Sequence, residues 1–263
     1  MDINKVLSRN DFEIIDGILS FDCTQNKSKL NRLNVLEELG KGIVWKNVYA
    51  HYYRFLFILR WLRPNTILVD VGCGRGWLMD LIYRNRIRVS YIGIDLSLNS
   101  LKYAIRKPYK YPHFLIRADC CEKPLTGEFA DYVVCLETIE HNDKNRGVSI
   151  IQWCNSILKP GGSLFISSPN RKGNQMVFPK DHDYEWEFDE LSEFLEKENL
   201  EIKYIFGCFG MKKEILNTLD EVETELYERL EPYYSWHVLS PIFATLHPRE
   251  AQGAIWLCRK PYQ

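Results

Sequence analysis

The sequence predicts a doubly wound α/β fold, in which helices cover both faces of a seven-stranded, mostly parallel sheet. Strand-like and helix-like segments alternate through the middle of the 263-residue chain, and 46% of the residues are hydrophobic, enough for a sizeable core. The longest purely apolar run, FLFIL at residues 55–59, is far shorter than the roughly 20 residues of a membrane span. No apolar leader opens the chain, so we expect a cytoplasmic protein without a membrane partner.

The strands and helices of this fold are predicted from the period of the apolar residues and from the turn residues between them. Seven short runs rich in β-branched and aromatic residues are the predicted strands: residues 66–72, 90–96, 113–119, 131–137, 163–169, 201–207 and 253–259. Four segments between them are the predicted crossover helices: residues 77–84, 97–106, 145–158 and 189–198. Such alternation is typical of a parallel sheet whose strands are joined by helices.

Two further segments precede or interrupt this alternation. Residues 1–62 are predicted to form an N-terminal helical cap, with helices at 29–39 and 44–62, in front of a main domain at 63–263. Residues 211–250 separate the last two strands, and a structureless loop of about 40 residues is uncommon in a compact domain. We therefore expect a folded insertion that begins with an acidic amphipathic helix and that covers the substrate pocket or forms a subunit contact.

The distribution of charge along the chain bears on the kind of partner that the protein binds. Residues 1–117 carry 19 Lys+Arg and 10 Asp+Glu, a balance of +9, and residues 118–263 carry the remaining 15 and 25, a balance of −10, which together give the net charge of −1. The basic first half is compatible with an anionic partner, although one sheet built from both halves would mix the charges.

The eight cysteines contain no C-x-x-C pair, so we expect reduced thiols. We interpret the vicinal Cys120 and Cys121 as packing residues rather than as a redox or metal site.

The most informative segment is VDVGCGRG at residues 69–76. A hydrophobic strand ends in Asp70 and turns through three glycines into a helix, which lets the backbone approach a ligand closely at the carboxyl edge of the sheet. The three glycines are Gly72, Gly74 and Gly76. The next strand ends in Asp95, placed to accept hydrogen bonds from a ribose diol, and a third strand ends in Asp119.

These residues resemble the first motif of the class I S-adenosylmethionine-dependent methyltransferases, D-x-G-C/S-G-x-G, and the resemblance extends over residues 65–207. It implies a Rossmann-like fold and S-adenosyl-L-methionine as the cofactor. Asp95 would hold the ribose hydroxyls, Asp119 would bind the adenine amino group, and Cys120 would flank the ring. The methionine part would lie on the glycine turn, and the other cofactor-binding candidates are Asp70, Gly72, Cys73, Gly74, Gly76, Leu96 and Glu137.

A dinucleotide-dependent dehydrogenase is the competing interpretation of the turn, because its G-x-G-x-x-G fingerprint also follows a strand. Here the spacing is G-x-G-x-G, and neither Trp77 nor Leu78 supplies the glycine or alanine that would continue the dinucleotide pattern. The spacing therefore favours the methyltransferase interpretation.

The segment LETIEHND follows the fourth predicted strand and carries Glu137, Glu140 and His141. Residues at i, i+3 and i+4 share one face if the chain turns helical there, so two carboxylates and an imidazole would converge on a cation. The segment lacks the N/D-P-P-Y/F signature that is typical of methyltransferases acting on the amino groups of nucleic-acid bases. Methylation of base amines is therefore disfavoured.

A second stretch, D-H-x-x-E-W at residues 181–186, resembles the metal-dependent small-RNA 3′-terminal 2′-O-methyltransferases when it is taken together with E-x-x-E-H. The resemblance implies a divalent ion (Mg, Mn or Zn) that is held by Glu137, Glu140, His141 and His182 and that lowers the pKa of a bound diol or catechol hydroxyl. Glu140, His141 and His182 are accordingly the catalytic candidates. E-x-x-E-H is also similar to ubiquinone-pathway and other small-molecule O-methyltransferases.

Two other roles for this segment remain open. His141 can act as a general base without a metal. Alternatively, Glu137 and Glu140 cap the following helix while His141 is a buried, hydrogen-bonded histidine.

The sequence thus predicts an enzyme, an S-adenosylmethionine-dependent methyltransferase that methylates a hydroxyl on a small-molecule or nucleotide-like acceptor. An alternative acceptor is the 2′-hydroxyl at the 3′ end of an RNA. An alternative of another class is a non-catalytic, cofactor-binding subunit that docks a partner through residues 211–250, a segment that would equally serve a homo-oligomer.

Overall fold

A computed structural model of the protein describes residues 2–23, 48–171 and 182–262. The predicted helix at 29–39 and Asp181 lie outside the described residues.

One sheet of nine strands runs through the described part of the chain. In chain order the strands are β1 (Phe12–Ile15), β2 (Ile18–Phe21), β3 (Thr66–Val71), β4 (Val89–Asp95), β5 (His113–Arg117), β6 (Ala130–Leu136), β7 (Leu158–Pro169), β8 (Glu201–Phe209) and β9 (Gly253–Arg259). Their spatial order is β1-β2-β5-β4-β3-β6-β7-β9-β8. Neighbours from β2 to β7 are parallel, whereas β1 runs antiparallel to β2, and β9 runs antiparallel to β7 and β8. All seven predicted strands are confirmed.

Strands β1 and β2 are additional, so the predicted count of seven is two too low. They form a hairpin across Asp16 and Gly17, whose φ angles of +51° and +83° suit the two-residue turn that an Asp-Gly pair favours. Strand β2 joins the sheet beside β5, with Leu19 opposite Ile116. The Asp-Gly pair between two apolar runs is the local signal for this hairpin, and the assignment of residues 1–62 to a helical cap overlooks it.

The helices cover both faces of the sheet. In chain order they are α1 (Val48–Leu59), α2 (Trp77–Arg84), α3 (Leu98–Ala104), α4 (Lys144–Ile157), α5 (Phe188–Lys197), α6 (Lys212–Leu216), α7 (Glu221–Leu230) and α8 (Trp236–Leu246). Helices α1, α2 and α3 contribute to the hydrophobic core on one face, and α4 and α5 contribute to the core on the other. Helices α2 to α5 confirm the predicted crossover helices. No helix among the described residues has the length and apolarity needed to cross a membrane.

The strand order places a crevice at β3. The chain proceeds outward from β3 through β4 and β5, and then returns to β6 on the opposite side of β3. Open α/β sheets bind their ligands at the carboxyl ends of the strands where the order reverses in this way. The residues that follow β3, β4 and β6 therefore meet at one edge.

The segment at 211–250 is a helical insertion, as predicted. It has a small core of its own, formed by Ile215, Leu239, Phe243 and Ala244 together with Ala251, which directly follows the insertion. Helix α8 lies so close to β8 that a Cβ on Gly207 would come within 1.9 Å of the Ala244 carbonyl oxygen. Helix α8 also contacts α1, because the Tyr53 and Thr245 hydroxyls are 3.1 Å apart. The insertion is therefore packed against both the sheet and the N-terminal segment.

The predicted acidic helix at the start of the insertion is wrong in one respect, because the structure divides it into α6 and α7. Asp220 begins α7 with a capping box: its carboxylate accepts from the Glu223 amide at 2.8 Å, and the Glu223 carboxylate accepts from the Asp220 amide at 3.1 Å. This reciprocal cap stabilises a new helix N-terminus inside the amphipathic pattern.

Candidate functional site

The glycine turn connects β3 to α2 at the crevice. Gly72, Gly74 and Gly76 have φ angles of +76°, +51° and +68°, a region that glycine enters without strain. A Cβ on Gly72 would lie 2.1 Å from Thr138 Oγ1, whereas a Cβ on Gly74 would meet no atom within 4 Å. The turn is therefore tightly packed at its start and open at its centre, where a ligand has room.

Asp95 ties this turn to the start of α3. Its Oδ2 accepts from the Gly74 amide at 2.8 Å, and its Oδ1 accepts from the Ser97 amide at 2.8 Å. A carboxylate oxygen can accept two hydrogen bonds, so these contacts are compatible with added ribose hydroxyls. Leu96 is half-buried in the same loop, and Cys73 is buried within the turn.

Asp70 lies at the base of the turn with 5% of its surface exposed. The Tyr91 hydroxyl donates to its Oδ2 at 2.6 Å. Burial raises the pKa of Asp70 to about 7, and the nearby charge of Asp95 acts in the same direction, while the Tyr91 hydrogen bond opposes both. Asp70 therefore changes its charge close to neutral pH.

Asp119 follows β5 and is buried beside the crevice. Its Oδ1 accepts from the Cys121 amide at 2.9 Å, and its Oδ2 is 2.5 Å from Arg146 Nη2. Arg146 comes from the first turn of α4 and is not among the predicted site residues. The carboxylate expected to meet an adenine amino group is thus held in an ion pair.

The vicinal Cys120 and Cys121 share a small cluster with Asp119, with one ligand atom from each within 4.8 Å of the others. The hydrogen bond to Cys121, followed by burial, raises the pKa of the Cys120 thiol well above its ordinary value. Metals bind the thiolate, and the carboxylate is already engaged with Arg146, so this cluster is poorly suited to an ion. All eight cysteines lie among the described residues, and none of them forms a disulfide.

Glu137 follows β6 with a φ of +47°. Its Oε1 accepts from the Ser167 hydroxyl at 2.8 Å, and its Oε2 is 2.9 Å from Arg54 Nη1. Arg54 projects from α1 and is only 2% exposed. Both oxygens of Glu137 are therefore committed to protein groups, and the structure does not bring Glu137 among the other predicted metal ligands.

Glu140, His141 and His182 do come together. One ligand atom from each lies within 4.8 Å of the others, and the two imidazole ring centroids are 5.2 Å apart. Glu140 and His141 belong to a 3-10 turn, Ile139–His141, that follows β6. A carboxylate with two imidazoles is a donor set that suits zinc or manganese. The residues present therefore fit a divalent cation.

The electrostatic surroundings of Glu140 also favour a bound cation. Glu140 is 0% exposed, and neither of its carboxylate oxygens has a hydrogen-bond partner among the described residues. Burial, followed by the charge of Glu137, raises the pKa of Glu140 well above its ordinary value; Glu185 adds to the shift and Arg54 opposes it. A buried, unpartnered carboxylate is costly, and a bound cation would offset that cost.

The segment that carries His182 is held against Glu140 by the backbone. The Asp183 and Tyr184 amides both donate to the Glu140 carbonyl oxygen, at 2.8 and 3.2 Å. His182 Nδ1 is 2.5 Å from Glu185 Oε1. These contacts therefore hold the turn after β6 beside the segment before α5, although the two are far apart in the sequence.

Sequence reasoning missed three charged residues of this site: Arg54, Arg146 and Glu185. No local pattern identifies the two arginines, because their carboxylate partners lie on distant elements. Glu185 had a signal, since it is the Glu of D-H-x-x-E-W and lies three residues after His182.

A family model described as a methyltransferase domain matches residues 46–204, more than half of the chain. The chain belongs to this methyltransferase domain family. A curated relative, the ubiquinone biosynthesis O-methyltransferase of Xanthomonas campestris pv. campestris strain B100, is 35% identical over 116 residues, which are 41% of this chain and 45% of that protein. The match thus spans less than half of the relative's length.

Solved structures agree on the fold. A SAM-dependent methyltransferase from Archaeoglobus fulgidus superposes with a TM-score of 0.58 at 20% identity, covering 87% of this chain and 99% of that one. The cyclase SpnF superposes with a TM-score of 0.59 at 17% identity, covering 81% of each chain. The fold is that of the class I S-adenosylmethionine-dependent methyltransferases, and SpnF illustrates that a fold alone does not define the reaction.

The two glycines of the turn should respond differently to alanine. Gly72→Ala should lower the free energy of unfolding by about 2–5 kcal/mol, because the new methyl group collides with Thr138 at a positive φ. Gly74→Ala should cost only about 1 kcal/mol, yet weaken S-adenosylhomocysteine binding at least about tenfold, because its methyl group enters the open cradle. Thermal unfolding and calorimetry measure the two effects. Equal stability of both variants would contradict the packing described at Gly72.

Asp70→Asn should stabilise the protein increasingly as the pH rises from about 4 to about 7. The unfolded carboxyl ionises near its ordinary pKa of 3.8 and the folded one at about 7, so between these values the wild type loses stability that the amide variant retains. The full difference is up to about 4 kcal/mol. Urea unfolding at several pH values measures it, with the exposed Asp11→Asn as control. A difference independent of pH would show that Asp70 is ionised throughout.

Proposed function

We propose that this protein transfers a methyl group from S-adenosyl-L-methionine to a hydroxyl oxygen of a small-molecule or nucleotide-like acceptor, assisted by a divalent cation at Glu140, His141 and His182. The observation that carries the proposal is the fully buried Glu140 carboxylate, unpartnered among the described residues and grouped with two imidazoles at the crevice. The name of the curated relative, an O-methyltransferase, supports oxygen as the acceptor atom.

In the proposed cofactor site, the methionine part lies on the open centre of the glycine turn near Asp70. Asp95 binds the ribose hydroxyls while it continues to hold the Gly74 amide. Asp119 and Cys120 face the adenine, with Asp119 fixed in place by Arg146. A buried carboxylate near the methionine part also favours the positive charge of the sulfonium.

The methyl transfer itself needs little chemical assistance, because a sulfonium methyl group is already a strong electrophile. The acceptor oxygen forms a bond to the methyl carbon while the carbon–sulfur bond breaks, and S-adenosylhomocysteine leaves. The protein must align the oxygen with that bond and exclude water. A bound divalent cation lowers the pKa of a coordinated hydroxyl and so makes it a better nucleophile. A histidine that ligates an ion through its lone pair cannot also take up a proton, so the hydroxyl proton would leave to solvent when an ion is bound and would pass to His141 when none is.

The cluster also bears on the acceptor. A divalent cation at this cluster would favour an acceptor with two adjacent oxygens, as in a catechol or a vicinal diol. Such an acceptor suits the compact group of Glu140, His141 and His182 at the end of β6.

We extend the proposal to the organisation of the chain. Within residues 1–62, helix α1 caps one face of the methyltransferase domain at 63–263 while the β1–β2 hairpin extends its sheet beside β5, and the protein works in the cytoplasm. The insertion at 211–250 contacts a second copy of the chain or another partner. Exposed apolar side chains of the insertion support this role; they include Tyr233, Tyr234, Val238 and Ile242. If methyl transfer is absent while cofactor binding is retained, the protein is the non-catalytic subunit that uses this surface.

The metal and the cofactor can be tested together by calorimetry with Mn²⁺ and with S-adenosylhomocysteine, and by following methyl transfer to catechol. His141→Ala and His182→Ala should each weaken Mn²⁺ binding by more than about 100-fold and leave S-adenosylhomocysteine binding unchanged. The exposed His237→Ala is the matched control and should bind both ligands normally. Full methyl transfer in excess chelator would contradict metal assistance. It would favour His141 as a general base that acts without a metal.

A second candidate acceptor, the 3′ end of an RNA, is favoured by the surface beside the glycine turn. Trp77 and Tyr103 are both exposed, and each lies under a cation: Lys107 Nζ is 4.3 Å from the Trp77 ring centroid, and the Arg75 guanidinium carbon is 4.6 Å from that of Tyr103. Exposed aromatic rings with neighbouring cations suit single-stranded nucleic acid, in which bases stack and phosphates are neutralised.

Salt dependence separates the two acceptors. A single-stranded RNA oligonucleotide should bind more weakly as salt increases from about 50 to 200 mM, and Lys107→Gln should reduce the slope of that dependence. A neutral catechol should show little change over the same range. RNA binding that is too weak to measure at low salt would eliminate the RNA acceptor.

A further inference from the structure

Glu185 contacts His182, one of the three residues of the proposed cation site. Its Oε1 is 2.5 Å from His182 Nδ1, and 7% of Glu185 is exposed. The two residues are three positions apart, in the segment that returns to the crevice before α5. The sequence predicts no ligand role for Glu185, and the residue is absent from the group of three candidate ligands.

The contact determines which nitrogen of His182 carries the proton. An ionised carboxylate only accepts hydrogen bonds, so a neutral imidazole that faces an ionised Glu185 through Nδ1 carries its proton on that nitrogen. The lone pair then resides on Nε2, on the other side of the ring. A histidine that ligates a metal through one nitrogen commonly donates its other N–H to a carboxylate, which fixes the ring and increases the basicity of the ligating nitrogen.

Glu185 is itself held firmly by the backbone around it. On one side, the Asp183 and Tyr184 amides donate to the Glu140 carbonyl oxygen. On the other side, the Trp186 carbonyl oxygen accepts from the Arg171 amide at 2.9 Å, and the Trp186 side chain is buried. The backbone that carries the Glu185 carboxylate is therefore fixed by main-chain hydrogen bonds that do not depend on a bound ion.

The electrostatics agree with this arrangement. Glu185 is one of the charges that raise the pKa of Glu140, so it adds negative charge to a group that already lacks compensation. A second buried carboxylate beside an unpartnered one is unfavourable unless a cation or a protonated histidine accompanies it.

We propose that Glu185 is a positioning residue, which holds His182 in the Nδ1-protonated form and directs Nε2 toward the cation at Glu140 and His141. This inference rests on the proposed metal site. It concerns the tautomer and orientation of His182, which exist in the metal-free protein and can be measured there.

The test uses the full chain and two readouts. Long-range ¹H–¹⁵N correlation spectra of the metal-free wild type should show His182 as the Nδ1-protonated tautomer, with the signals assigned by their loss in His182→Ala. Calorimetry with Mn²⁺ should show binding about 10–100-fold weaker in Glu185→Gln, because a neutral amide supports the imidazole less well than a carboxylate. The exposed Glu193→Gln, on neighbouring α5, should bind Mn²⁺ like the wild type. Thermal unfolding confirms that each variant is folded.

Each result decides a separate question. An Nε2-protonated His182 in the wild type, or equal Mn²⁺ affinity in Glu185→Gln and wild type, would overturn the role of Glu185 and leave the metal site intact. A wild type that binds no Mn²⁺ would overturn the metal assistance and, with it, the orientation of Nε2 toward a cation. The spectra would still show whether Glu185 selects the tautomer.

Discussion

The burial of negative charge at the end of β6 is the constraint around which the site is organised. Glu137, Glu140 and Glu185 lie close enough for the first and third to raise the pKa of the second, and the charge of Arg54 opposes that shift. Arg54 is committed to Glu137 by an ion pair at 2.9 Å. Among the described residues, Glu140 is thus left buried without a hydrogen-bond partner for its carboxylate, an arrangement that proteins rarely tolerate unless the group takes up a proton or another ion compensates it.

This constraint also connects distant parts of the chain. Arg54 anchors α1, so the segment before β3 is joined to the crevice through a charge as well as through apolar packing. The returning segment is anchored to the Glu140 carbonyl oxygen by two amides. Helix α8 of the insertion contacts α1 through the Tyr53 and Thr245 hydroxyls. A shift of any of these elements would therefore alter the surroundings of the buried carboxylates.

The cofactor side is built differently. There the backbone gives the proposed site its shape: three positive-φ glycines form the turn, and Asp95 holds it by accepting from two amides. The neighbouring acidic groups are tuned by their surroundings, since burial brings the pKa of Asp70 to about 7 and Arg146 holds Asp119 in an ion pair. One edge of the sheet thus combines a glycine turn flanked by acidic side chains with a buried, densely charged cluster.

The sequence by itself determined the central architecture and the position of the crevice. The strands and helices from β3 to α4 follow their predicted ranges closely, because apolar period and glycine placement are local properties, whereas β7 begins earlier than predicted, at Leu158. The same local reasoning located the glycine turn, Asp95 and the E-x-x-E-H segment. It overlooked the Asp16-Gly17 hairpin and merged α6 with α7, although both the turn and the Asp220 cap have local signals.

Only the tertiary structure decided which charged groups meet. It separated Glu137 from the other expected ligands by pairing it with Arg54, gave Asp119 an arginine partner, and placed Glu185 in contact with His182. Chain spacing cannot specify such pairs, because the energy of a buried charge depends on the neighbours that packing supplies and on how much water it excludes.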